Sequence, residues 1–413
     1  MLQKLRKMRT NENVLIAVDI LLHSKSAFMN VFLMAFMIRA SLKDSPARFL
    51  IYCIVRYALM GIFSIVLLRL TRRHTLLAWR TSMIFSIFQI IGVIFLNSAS
   101  PYFPFVIAVF SALESVLYWR PKMYFDTTEI ADDRRLHFKS VGQSWIELAK
   151  VAMPVVLGII ISNSSYVRTA NVILIISISQ LLLSMMFHPV NKDGKVKKAE
   201  EHTIMDVMRF MLKHDSMHKI IYLSLLRGII VSSAGYLMVA QINVYRSAGS
   251  DLNLGIFTAT ASAVAIVVLW LYRRASHRAR LQKTILFSIL PPAVLLPLCA
   301  ILFPNNPVIA IVFYIYTQSI IESFYNSTLT ITRLQDILSR HLRDDSYRVE
   351  IESIAEVFLS VGRIVTITIV LTLINLGLDY LLMPFALLSS FAIFPIVYLT
   401  LPSRMWSRDK IRA

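Results

Sequence analysis

Hydrophobic residues in this chain come in long blocks broken by short polar and charged stretches. Neither the three-to-four spacing of an amphipathic surface helix nor the strict alternation of a half-buried strand persists through these blocks. A helix crosses the hydrocarbon of a bilayer in roughly 20 apolar residues. On that measure the pattern predicts twelve spans, at residues 14–38, 49–70, 76–97, 101–120, 143–163, 168–187, 219–243, 252–272, 284–303, 306–330, 351–374 and 379–400. The expected fold class is therefore an all-α polytopic membrane protein.

Charge distribution orients these spans. The even-numbered connections carry the basic residues: Arg69, Arg72, Arg73 and Arg80 after the second span, Arg273, Arg274, Arg278, Arg280 and Lys283 after the eighth. The odd-numbered connections hold only Arg39, Lys43, Arg48, Arg168 and Arg246. Lys and Arg mark cytoplasmic loops, so both termini are expected in the cytoplasm and the protein in the cytoplasmic (plasma) membrane. The basic start, Met1 to Arg9, lacks a following small-residue cleavage site, and the first apolar block is expected to be retained as a span.

Composition supports the membrane reading and excludes others. Of 413 residues, 56% are hydrophobic and 16% charged, against about 25% charged in an average soluble domain. The net charge of +19 sits in loops as a topology signal, so no nucleic-acid partner is expected; the bilayer is. Cys53 and Cys299 both fall in apolar blocks, which argues against a disulfide framework or a cysteine metal site. Neither a phosphate-binding glycine loop nor a His-Glu-x-x-His zinc pattern occurs. No cofactor, resident metal or enzymatic activity is expected.

The longest connection, His188 to His218, divides the chain into residues 1–190, a linker at 191–217 and residues 218–413. Within the linker, Thr203 to Leu212 reads as an interfacial helix. The two halves share an order of short matches. Phe85-Ser86-Ile87 recurs as Phe287-Ser288-Ile289, Glu114-Ser115 as Glu322-Ser323, and Glu147 falls opposite Glu356. This predicts two pseudo-symmetric six-helix bundles, an arrangement suited to alternating access.

The six-plus-six organisation, the long basic middle loop and the basic stretch Arg69-Leu70-Thr71-Arg72-Arg73-His74-Thr75 after span two resemble the major facilitator superfamily. That stretch lacks the glycine and aspartate usual there. The resemblance implies a cavity between the halves and solute movement without ATP hydrolysis.

Ionisable residues inside spans carry the remaining information, since an Asp, Lys or Arg at mid-span costs roughly 2.5–3.5 kcal/mol on insertion scales. Asp19 and His23 stand one helical turn apart and form a proton-coupling candidate. The duplicated carboxylates Glu114, Glu322, Glu147 and Glu356 are further proton-carrying candidates. Salt bridges that hold helices together explain the same residues equally well. Arg56, Arg227 and Arg363 are the candidates for an anionic substrate group, because a guanidinium stays charged and presents a rigid fork. Gly158, Gly228 and Gly235 are read as close-packing positions. The function expected from these residues is secondary transport, by symport or antiport, of a small charged or amphipathic organic solute, with protons as a candidate coupling partner. A lipid or lipid-linked precursor translocator and a non-transporting receptor or structural protein are the alternatives.

Overall fold

The computed structural model describes residues 2–40, 46–96, 98–130, 132–189, 204–213, 215–230, 250–276, 293–324, 348–391 and 393. Every regular element among them is helical. Among the described residues, seven helices are long and apolar enough to cross a membrane: Thr10–Arg39, Ala47–Val66, Thr75–Phe95, Phe103–Asp126, Val141–Asn163, Tyr166–Met185 and Glu350–Asn375. Shorter apolar helices lie at Ile220–Ile230, Asp251–Val267, Ala293–Leu302, Ile309–Ile320 and Asp379–Phe391. The protein is a polytopic α-helical membrane protein.

Its surface chemistry agrees. Large apolar side chains point outward along the helices, with Phe95 79% exposed and Ile175 65% exposed. Serines and glutamines are fully buried instead, among them Ser82, Ser86 and Gln89 on one helix and Ser177, Gln180 and Ser184 on another. A water-soluble fold would reverse both choices. Hydroxyls that have no water to bind return to their own helix: Ser24 donates to the Ile20 carbonyl at 2.8 Å and Thr366 to the Gly362 carbonyl at 2.9 Å.

The chain forms two compact units, Met1–Ile204 with Tyr245–Ser262, and Met205–Val244 with Ala263–Ala413. In the first unit, α1 (Leu2–Ala27) runs into a π-helical turn at Phe28–Phe32 and continues as α2 (Leu33–Arg39). The Leu33 amide donates to the Phe28 carbonyl, five residues back, and Phe28, Met29, Val31 and Phe32 are buried there. Then come α3 (Ala47–Val66), the short α4 (Leu68–Arg73), α5 (Thr75–Phe95), α6 (Phe103–Thr128), α7 (Asp132–Asn163) and α8 (Tyr166–Met185). The second expected span ends earlier than its hydropathy, because the chain turns at Leu67. The fourth and fifth are longer, since helical hydrogen bonding carries on through polar ends that no hydropathy window includes.

Helix α1 packs on α7 and α8, α5 on α6 and α8, and α3 on α6. At one end of this unit Trp79, Tyr118, Phe125 and Phe187 form an aromatic core, with the Phe125 and Phe187 ring centroids 4.8 Å apart. The last carbonyls of α8, which no following turn can satisfy, are taken by Arg80: its Nη2 donates to Ser184, Met185 and Phe187 at 3.3, 3.4 and 3.1 Å.

The second unit contains α9 (Ile204–Lys213), α10 (Asp215–Ile230), α12 (Ala293–Leu302), α13 (Pro307–Phe324), α14 (Arg348–Asn375) and α15 (Leu382–Phe391). Helix α11 (Asp251–Ser276) starts within the first. Helix α9 occupies the expected interfacial segment; Val207 and Met211, one turn apart, are buried, while Met205 and Leu212 are exposed. Its tightest crossing joins α10 to α14. A Cβ on Gly228 would stand 2.3 Å from the Leu359 carbonyl oxygen, and one on Gly362 would stand 2.3 Å from that of Leu225. Only two glycines allow backbones to meet so closely. Gly235, the linker residues 190–203, the loop charges at 277–283 and the basic tail lie outside the described residues.

Candidate functional site

Helix α6 collects the buried charges of the first unit. Asp19, from α1, accepts the Tyr118 hydroxyl at 2.5 Å and the Lys122 ammonium at 2.9 Å. Lys122 also reaches Asp126 at 2.9 Å, one turn further along its own helix. Two carboxylates thus converge on one ammonium, and the Lys122 side chain is only 11% exposed. His23, a turn from Asp19, sets its ring edge-on to Trp119, with centroids 6.2 Å apart. Asp19 and His23 therefore both face α6, each with its own partners.

Two turns along α6, Glu114 forms an ion pair with Lys25 of α1, and both side chains are almost completely enclosed. Lys25 Nζ also donates to Ser86 Oγ at 2.8 Å, and Ser86 bonds to Ser177 at 3.4 Å. Four helices, α1, α5, α6 and α8, thereby contribute to one polar chain. Arg56 of α3 approaches from another side: its Nη2 donates to Ser115 Oγ at 3.4 Å, and its guanidinium stands 5.6 Å from the Tyr57 ring centroid.

The other expected residues are more dispersed. Glu147, on α7, accepts from Gln143 and from Lys150 at 3.2 Å. Lys150 keeps a third of its side chain exposed while making that contact. On α14, Arg363 donates to Glu356 at 3.3 Å. Arg227 and Arg363 each adjoin a glycine of the α10–α14 crossing. Glu322 belongs to α13, and its side chain lies outside the described residues.

A further charged cluster closes the opposite end of the first unit. Arg39 Nη1 bonds to Asp251 Oδ2 at 2.8 Å, and the Tyr166 hydroxyl donates to the other oxygen of that carboxylate. The Arg39 guanidinium also stands 5.5 Å from the Tyr166 ring centroid. Beside it, a Cβ on Gly255 would fall 2.5 Å from the Pro154 carbonyl oxygen, so the start of α11 touches the backbone of α7. Sequence reading missed Lys122, Asp126, Tyr118 and Asp251. Lys122 and Asp126 were legible as an i, i+4 pair, but they sit beyond the apolar window and were assigned to a loop. Asp251 has no sequence signal beyond its place at a helix start.

Among the described residues no three His, Cys, Asp or Glu side chains come together as a metal-binding group. No family model matches the chain, and no curated protein does. Solved structures do match. The chain aligns with a bacterial homologue of the iron transporter ferroportin in its outward-facing state at a TM-score of 0.66, with 12% identity over 94% of this chain and 99% of that one. The inward-facing state of such a homologue aligns at 0.62, with 12% identity over 95% and 99%. A structure described as a bacterial metal transporter aligns at 0.60, with 11% identity over 95% and 98%.

These matches correct two expectations. In place of the major facilitator superfamily resemblance, the matched fold is that of bacterial ferroportin and metal-transporter homologues. The expected symport or antiport of an organic solute gives way as well, with its lipid and receptor alternatives, since the matched transporters are described by iron or metal. The physical reason is that basic loops, paired halves and intramembrane charges report how a carrier is built. None of them encodes what fills it. At this identity the matches establish the fold, and this chain is assigned to no family by them.

Proposed function

We propose that this protein carries a divalent metal cation of the iron class across the cytoplasmic membrane by alternating access. The observation that carries the reading is the near-complete, two-way alignment with a fold solved in both inward- and outward-facing states. Seven long and five shorter apolar helices at the expected positions support twelve spans in two six-helix halves, residues 1–190 and 218–413 joined by 191–217. The basic even-numbered loops support cytoplasmic termini.

The oxygen donors around Lys122 suit such a cargo. Carboxylate and water oxygens bind divalent ions without selecting strongly among them, and a transport site must release its ion, so few protein ligands serve it better than a closed cage. Asp19 and Asp126 already converge on a single positive charge. A metal ion that displaces the Lys122 ammonium meets the same oxygens, so the lysine must move away before the ion is bound, and the two hold this position in turn. Asp19, His23, Glu114, Glu147, Glu322 and Glu356 stand in this reading as proton-handling positions.

Reconstitution into vesicles containing a metal-quenched fluorophore tests the proposal. Saturable, protein-dependent quenching by Fe²⁺ or Co²⁺, reduced by Asp19→Asn, is expected. Quenching no faster than in protein-free vesicles for every transition metal overturns it.

A further inference from the structure

The charges nearest the middle of the first unit do not balance. Lys25 and Arg56 bring two positive charges, and Glu114 brings one negative. Glu114 is committed to Lys25. Among the described residues no carboxylate comes within ion-pair distance of Arg56, whose only hydrogen bond is the 3.4 Å contact with Ser115. Its Nε is buried and unbonded. A guanidinium offers five donors in a plane, and four of them find no acceptor among the described residues. Nor does the surrounding surface compensate: Tyr52, Cys53, Tyr57 and Met60, all on α3, are buried around it. The Tyr57 ring supplies a weak attraction at 5.6 Å, and the Tyr52 hydroxyl, which could have accepted, points to Ser111 at 3.2 Å.

A single uncompensated positive charge at this depth is costly, because charged side chains inside a membrane normally pair or meet water. Arg56 is only partly enclosed. Glu114 lies one residue before Ser115 on α6, which sets the carboxylate and the hydroxyl on adjacent faces and leaves the Ser115 side open to Arg56. We propose that Arg56 and Ser115 bind one small monovalent inorganic anion, of the chloride or bicarbonate class. The anion takes the planar donors of the guanidinium and the Ser115 hydroxyl proton, and it brings the Lys25, Arg56 and Glu114 group to zero net charge. Its size limit follows from the bulky side chains of α3. This site is separate from the oxygens around Lys122, and it does not depend on the identity of the transported cation.

The test uses purified protein in nanodiscs with no transition metal present. Thermal unfolding is followed as sodium chloride, or sodium bicarbonate, replaces sodium gluconate at constant ionic strength and pH, and bound ³⁶Cl⁻ is counted in parallel. A saturable rise in the unfolding midpoint with about one chloride bound per chain is expected. Arg56→Gln should raise the half-saturating concentration by about 10- to 100-fold, the scale of one charge-assisted hydrogen bond. Arg56→Lys, which keeps the charge, and Ser115→Ala, which removes only the hydroxyl, should each weaken binding less. If gluconate stabilises as well as chloride, or if Arg56→Lys and Ser115→Ala both bind chloride with unchanged affinity, the site does not exist. The two milder variants decide the matter even if Arg56→Gln does not fold. Bicarbonate outcompeting ³⁶Cl⁻ would assign the oxyanion as the preferred ligand of the same site.

Discussion

Replacing Glu114 by Met leaves the Lys25 ammonium buried with only Ser86 as a firm partner. Breaking a buried ion pair from one side costs about 3–5 kcal/mol, because the remaining charge is neither solvated nor paired. Both partners here are almost completely enclosed, so the upper part of that range applies. The reciprocal change, Lys25→Met, strands Glu114 instead, but Arg56 lies within electrostatic range of it and can take over part of the pairing. Glu114→Met should therefore destabilise more than Lys25→Met. In the double variant Lys25→Met/Glu114→Met no orphaned charge remains, and removal of an entire buried pair is often neutral or stabilising by about 1–4 kcal/mol. The double variant should unfold later than either single one. The measurement is the unfolding midpoint in one detergent, followed by intrinsic fluorescence, for the four proteins of the cycle. Additive losses, with the double variant the least stable, would refute the claim that these residues act on one another.

Other consequences are equally direct. Gly228→Ala or Gly362→Ala forces a methyl group into a neighbouring carbonyl and should cost about 1–3 kcal/mol, read as a lowered unfolding midpoint. Asp251→Asn weakens two contacts at once, whereas Arg39→Gln removes a partner that is 44% exposed and worth at most about 1 kcal/mol. The aspartate variant should thus show the larger fall in midpoint; equal effects would deny Tyr166 a share in the cluster. Asp19→Asn should flatten the pH profile of metal uptake at unchanged protein level, and an unaltered profile removes Asp19 from proton handling.

Much of the architecture was legible in the sequence because bilayer thickness imposes one length on every span. Helix ends were less so: α6 runs on through Pro121 to Thr128, past the point where hydropathy falls. That extension matters, for it carries Lys122 and Asp126 into the same helix as Tyr118 and Glu114. Single residues costly to bury, such as Asp19, Arg56 and Glu114, were visible by type. Their partners were not, since pairing depends on which faces of α1, α3 and α6 meet, and interhelix register leaves no trace in hydropathy. Glu114 illustrates the difference. Its repetition as Glu322 drew attention to it, while only the reach of side chains between α1 and α6 attached it to Lys25.

The π turn at Phe28–Phe32 gives the first span two independent phases. An added residue per turn rotates everything beyond it by about 100° relative to a continuous α-helix. Asp19, His23 and Lys25 are aimed at α6 by the phase before the turn, and Arg39 is aimed at Asp251 by the phase after it. Moving the turn one residue along the chain re-aims only the residue it passes. Deleting a single residue there, such as the exposed Asn30, would swing Arg39 by a quarter-circle while leaving Lys25 in place. The span works as a jointed shaft, with one end adjustable without unscrewing the other.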